Sequence, residues 1–141
     1  MALTEMNYVE GVGGIAPLVV SVSSTYSGTS LDNLFDGDNS TRWSSGTETG
    51  EIDLFNTSQS EIKSISILVG DNSHQNDALS ISLYGSNTSI TDKTNQLYNA
   101  SLKYNDGLTK ILNTASHYKY YMISVAGSSA YYGAASELEI S

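Results

Sequence analysis

Cysteine is absent from the 141-residue chain, so no disulfide staples it and no thiolate can act as nucleophile or metal ligand. Proline occurs once, at Pro17, and arginine once, at Arg42. Lysine and arginine together number 6 against 15 aspartates and glutamates, for a net charge of −9. That balance argues against nucleic acid, whose binding rests on neutralised phosphates, and against anionic membranes, which attract basic patches. The expected partner is neutral or cationic. No apolar run approaches the roughly 20 residues needed to cross a bilayer. Two histidines without cysteine give no basis for a catalytic zinc site. The first residues carry Glu5 and Glu10 and no basic side chain, unlike a secretory signal. The expectation is an exported chain whose leader was removed or which leaves the cell by another route.

What is present is a period-two pattern. Ile65, Ile67 and Val69 alternate with Ser64, Ser66 and Leu68, and Leu79, Ile81 and Leu83 with Ser80, Ser82 and Tyr84. Tyr121, Ile123 and Val125 form another inward set. Residues 19–23, 51–55, 96–102, 108–113 and 134–140 are further strand candidates, joined by links rich in Gly, Asn, Asp, Ser and Thr. No helical stripe of useful length and no internal repeat is visible. About eight short antiparallel strands predict an all-β sandwich or jelly roll over residues 18–141. Residues 1–17, punctuated by Gly11, Gly13, Gly14 and Pro17, read as a flexible lead-in or a docking arm.

Residues 33–43 concentrate oxygen donors: the Asp36 carboxylate, the Thr41 hydroxyl and carbonyls freed by a tight turn at Gly37. Glu137 can add a second carboxylate if the last strand returns beside this loop. A hard cation such as calcium takes about six to eight oxygens from such a loop. An Asp-Gly turn closed by hydrogen bonds alone is the plainer alternative.

These segments also carry a resemblance. Asn33, Asp36, Gly37, Thr41 and Trp43, with Ser136-Glu137-Leu138-Glu139-Ile140 at the far end, resemble the opening and closing motifs of the discoidin (coagulation-factor C-type) domains. Within that superfamily the chain looks most like the family 32 carbohydrate-binding modules. Residues 65–69, 79–86 and 120–125 resemble the family's core strands in order, and one departure is Met122, where the family often has arginine. The resemblance implies a structural calcium held by the carbonyls of Asn33 and Asp38, the Asp36 carboxylate, Thr41 through hydroxyl and carbonyl, the Ser136 carbonyl and the Glu137 carboxylate. It also implies that Trp43 is core rather than a sugar-stacking surface, and that ligands bind in loops at one end of the sandwich.

Two loops fit that role. Residues 71–77 offer closely spaced donors and acceptors, among them Asn72, His74 and Asn76. Residues 127–133 place Tyr131 and Tyr132 between glycines, and a tyrosine suits both the C–H face and the hydroxyl rim of a pyranose. Ordinary turn polarity and a tyrosine cover over the sandwich end are the bland readings. Tyr26 and Glu48 are weaker rim candidates, while Arg42 is assigned to the ion loop, so no arginine is expected in the pocket.

Catalysis finds little support. Ser73, His74 and Asp77 crowd one loop, whereas a working triad draws on separately packed elements. Glu51 and Asp53 share a strand face at about 7 Å by strand rise, and a solvated face is the expected reading. The chain is therefore expected to be a non-catalytic, lectin-like module for a neutral glycan, extracellular, on a cell surface or on a virion. Multivalency would come from homo-oligomerisation or attachment to a larger assembly. The alternative is a structural or adhesion sandwich that binds a protein partner and no sugar.

Overall fold

The computed structural model describes residues 5–8 as backbone, and residues 18–127 and 131–141 in full. Among the described residues ten strands form, in chain order β1 (Glu5–Tyr8), β2 (Leu18–Val22), β3 (Trp43–Ser44), β4 (Thr49–Phe55), β5 (Ile65–Val69), β6 (Leu79–Ser86), β7 (Gln96–Leu102), β8 (Thr109–Leu112), β9 (Tyr120–Ala126) and β10 (Ala134–Ile140). Short 3-10 turns occupy Leu31–Phe35 and Tyr104–Asp106. Six strands make one sheet in the order β1-β2-β4-β9-β6-β7, and four make the other in the order β3-β10-β5-β8. Neighbouring strands are antiparallel throughout.

The alternating residues explain this arrangement directly. Ile52, Leu54, Ile81, Leu83, Tyr121, Ile123 and Val125 of the larger sheet face Trp43, Ile65, Ile67, Leu138 and Ile140 of the smaller, all buried in one core. On most strands the polar partners on the opposite side stay near solvent, which is how a two-layer antiparallel sandwich is patterned. The two strands beyond those expected are β1 and β3. Glu5–Tyr8 adds an edge to the larger sheet beside β2, so this part of the lead-in is a sheet strand; residues 1–4 and 9–17 lie outside the described residues. Trp43–Ser44 pairs with Ala134 and Ala135 of β10, which brings the start of the domain against its end.

One outward face differs from the solvated surface expected. Asp53 stands opposite Met122 in register, and Met122 is fully buried. At the position where the resemblance suggests arginine, Asp53 therefore meets an apolar neighbour. Burial pushes the Asp53 carboxyl up to about 8, helped by hydrogen bonding to Glu51 and by its charge, against the opposing pull of Lys93. Lys93 pairs with Glu51 beside it. Because the folded value lies above the ~3.9 of an unfolded aspartate, the contribution of Asp53 to stability is fully present below that pH and is lost as pH rises through 8. Asp53→Asn is expected to stabilise the protein by about 1 kcal/mol at pH 9, after allowance for solvent screening, with a much smaller gain at pH 5. Melting temperatures of both proteins at the two pH values check this; an equal shift at both would show that the carboxyl does not titrate as described.

Candidate functional site

The loop expected to hold an ion is built locally. Gly37 turns the chain at φ +71°. The Asp36 carboxylate then accepts from the Asp38 backbone N–H at 2.9 Å and from the Thr41 hydroxyl at 2.5 Å. The carbonyl of Asp38 accepts from the Thr41 N–H at 3.2 Å and lies 2.9 Å from the Thr41 hydroxyl oxygen, while the Asp38 carboxylate is engaged by Ser40. Asp38 therefore offers its carbonyl rather than its side chain to the loop centre. The Asn33 side-chain amide donates to the Arg42 carbonyl at 2.8 Å and clips the loop shut.

From the other end of the chain, a bulge in the β10–β5 pairing between Ala135 and Glu137 re-aims the strand, as bulges do. The Ser136 hydroxyl donates to the Gly70 carbonyl at 2.8 Å. Glu137 is turned toward Asp36: burial pushes its carboxyl up to about 7, followed by the charge of Asp36 and a hydrogen bond with it, while the Gly37 N–H opposes. Glu137 is only 8% exposed, and its Oε1 is buried with no hydrogen-bond partner. A buried, unpartnered carboxylate oxygen beside a second carboxylate is costly unless something charged satisfies it. The residues present fit a calcium ion on that ground. Among the described residues no three His, Cys, Asp or Glu side chains come together, so hydroxyl and carbonyl oxygens would supply most of its shell.

A second site opens where four loops meet. Tyr26, Arg42, Ser44, Asp71, His74, Tyr131 and Tyr132 line a concavity of about 180 Å³. Asp71 is its hub, with a side chain 7% exposed. Its Oδ1 accepts from the Ser73 backbone N–H at 2.8 Å and meets His74 Nδ1 at 3.2 Å. Its Oδ2 accepts from the Tyr131 hydroxyl at 3.1 Å and lies 3.3 Å from Arg42 Nε. Burial works to raise the Asp71 carboxyl, but hydrogen bonds from His74, Ser73 and Tyr131, with the Arg42 guanidinium, outweigh it and hold the group below its ordinary value. The Tyr131 hydroxyl is pushed up, by burial first and then by the charge of Asp71.

The two tyrosines divide their roles. Tyr131 stacks on His74 with ring centroids 4.3 Å apart and an interplanar angle of 22°, so one face of its ring is covered. Tyr132 is 39% and Tyr26 46% exposed. Their rings lie 5.8 Å apart at 54° and form the open aromatic wall of the concavity.

Solved structures with this architecture are known. A pectin-binding carbohydrate-binding module matches at a TM-score of 0.65 and 22% identity, over 86% of this chain and 87% of that one. The family 32 module of AlyQ, solved with 4,5-unsaturated mannuronic acid, matches at 0.63 and 22% over 96% and 98%. The family 32 module of NanJ from C. perfringens, solved with galactose, matches at 0.65 and 11% over 87% and 92%. The chain has the discoidin-like fold. No family model matches its sequence, and no curated protein does.

Within this discoidin-like fold the residues expected at the two sites are distributed as follows. Asp36, Asp38, Thr41, Asn33, Ser136 and Glu137 come from the two chain segments that β3 and β10 bring side by side. His74, Tyr131 and Tyr132 meet in the rim concavity, whereas Asn72, Asn76 and Glu48 are not among its lining residues. The Asn76 amide oxygen accepts from Asn105 at 2.6 Å instead. Assigning Arg42 wholly to the ion loop requires correction, because only its backbone serves there; its side chain crosses to Asp71. Asp71 and the Arg42 side chain join the concavity through their ion pair, and Tyr26, expected only as a weaker rim candidate, stands in its wall. His74 pairs with Asp71 rather than Asp77, which dissolves the crowded Ser73-His74-Asp77 grouping.

Proposed function

We propose that this chain is a non-catalytic carbohydrate-binding module that holds a neutral sugar in the Tyr26–Arg42–His74–Tyr132 concavity, with a structural calcium at the Asp36–Glu137 loop. The observation that carries the reading is the pairing of oriented polar groups with an exposed aromatic wall. Arg42 supplies donors, His74 a ring nitrogen, and Tyr26 and Tyr132 apolar faces for a pyranose. Sugar sites combine these elements because a ring presents a C–H face and a hydroxyl edge. A volume of about 180 Å³ suits one sugar ring rather than a long chain segment. Similar folds solved with galactose, with N-acetylgalactosamine-β-1,3-galactose and with unsaturated mannuronic acid support a sugar as the ligand class.

One shallow pocket of this size binds weakly, so useful avidity calls for several copies, by oligomerisation or by attachment to a cell surface or virion. Such a setting is extracellular. Among the described residues no helix is long and apolar enough to cross a membrane.

A glycan array run with calcium tests the proposal. Binding to neutral glycans is expected, and Tyr26→Ala with Tyr132→Ala is expected to weaken it at least tenfold while leaving the melting temperature within about 2 °C, since each ring is half-exposed. Retained binding in that double variant would move the site elsewhere. No binding to any glycan would favour the reading as a protein-binding adhesion sandwich.

A further inference from the structure

We propose that Asp71 is the positioning residue of the rim pocket and that its charge makes the pocket select uncharged sugars. The specificity half of this rests on the glycan reading above; the positioning half does not. Four groups converge on one buried carboxylate: the Ser73 N–H, His74 Nδ1, the Tyr131 hydroxyl and Arg42 Nε. They come from three separate stretches of chain. Removing their common acceptor would release all of them at once.

Three consequences follow from the chemistry of that acceptor. An ionised carboxylate only accepts, so His74 Nδ1 must carry a proton, and in the neutral form of the imidazole Nε2 is left as the lone-pair acceptor. Arg42, held through Nε, keeps its two terminal amino groups as donors for a ligand. The pocket thus offers a fixed acceptor and a fixed donor, the pair needed to read adjacent hydroxyls. Third, the Asp71 charge cancels that of the only arginine in the chain. A pocket containing a guanidinium would ordinarily favour carboxylate ligands; this one has its guanidinium already paired to a buried partner. Asp71 stays ionised for this task because its hydrogen bonds outweigh its burial.

The experiment compares the wild type with Asp71→Asn, which keeps the volume and removes the charge. Two readouts are combined. Nitrogen-15 NMR of the free proteins follows the single arginine Nε–H and the His74 ring nitrogens. A glycan array presents neutral termini beside their uronate analogues, galactose with galacturonate and glucose with glucuronate. In the wild type a slowly exchanging Arg42 Nε–H and a dominant Nδ1–H tautomer of His74 are expected. Asp71→Asn should lose both, weaken neutral glycans by roughly tenfold and shift the preference toward uronates. An unchanged arginine signal and tautomer in the variant would overturn the positioning role. An unchanged neutral-over-uronate preference would overturn the charge role. If the wild type binds no glycan of either kind, the glycan reading and the charge role fall together, and NMR alone decides the positioning. Should Asp71→Asn fail to fold, Arg42→Gln tests the same balance with the opposite sign. Its pocket keeps an uncompensated carboxylate and should favour glucosamine termini over neutral ones, with the His74 tautomer retained; loss of that tautomer, or no gain for glucosamine, counts against the proposal.

Discussion

Replacing Trp43 by alanine is expected to destabilise the protein by about 3–5 kcal/mol, enough to lower its melting temperature by roughly 10 °C or more. Trp43 is completely buried and heads the largest enclosed side chains of the molecule. Its indole N–H donates to the Ser24 carbonyl at 3.0 Å, so truncation removes apolar contact and leaves a part-buried acceptor without its partner. The space left behind cannot easily close. The ring packs on Gly50, where an added Cβ would stand 2.7 Å from the indole. Gly50 belongs to β4, a strand paired to β2 on one side and β9 on the other, so its backbone is held in place. Urea unfolding followed by circular dichroism measures the effect, since the only tryptophan is lost. A sugar-stacking tryptophan on the surface would behave oppositely, losing binding with little change in stability. A midpoint shift below about 1 kcal/mol would contradict the core assignment.

The strands were legible in the sequence because the sandwich exposes one polar face per strand. Leu79–Ser86 shows why: its buried and exposed residues alternate along most of its length, and that alternation is written in the residue types. Strand β3 left no such trace. It is two residues long, and only its tertiary pairing with β10 makes it a strand. The turn at residues 33–43 was legible because its geometry is local, an Asp-Gly turn closed by Asp36 and Thr41 within a few residues. The rim pocket was legible only in part: its loops at 71–77 and 127–133 could be named, but not the meeting of Arg42 with Asp71, because Tyr26, Arg42, Asp71, His74 and Tyr132 lie on four loops that only the fold brings together. Arg42 is the instructive case. Thr41 and Arg42 are neighbours in sequence, yet one side chain closes the ion loop and the other crosses to Asp71. The strand face at Asp53 was misread for a related reason: spacing along β4 sets a separation, but the buried Met122 on β9 sets the dielectric.

Calcium added to chelator-treated protein is expected to raise its melting temperature by roughly 5–10 °C, the equivalent of about 2.7 kcal/mol at a hundredfold excess over the dissociation constant. The expectation rests on Glu137, buried beside Asp36 with Oε1 unpartnered. Without a cation that arrangement places like charges together in a poorly hydrated position. Glu137→Gln separates this from a merely structural role. The variant should be more stable than the wild type in chelator, because a buried charge is gone, and less stable than the wild type in calcium, because a ligand is gone. A residue that only packed would shift stability in the same direction under both conditions. Magnesium should substitute poorly, since a shell dominated by carbonyls and hydroxyls from a flexible loop suits the larger ion. Sugar contact should weaken only indirectly on chelation, through the step from Thr41 to Arg42 and the Asn33 clip on the Arg42 carbonyl. Complete loss of glycan binding without a drop in melting temperature would instead place the cation in direct contact with the sugar, and would remove the structural role assigned to the Asp36–Glu137 loop.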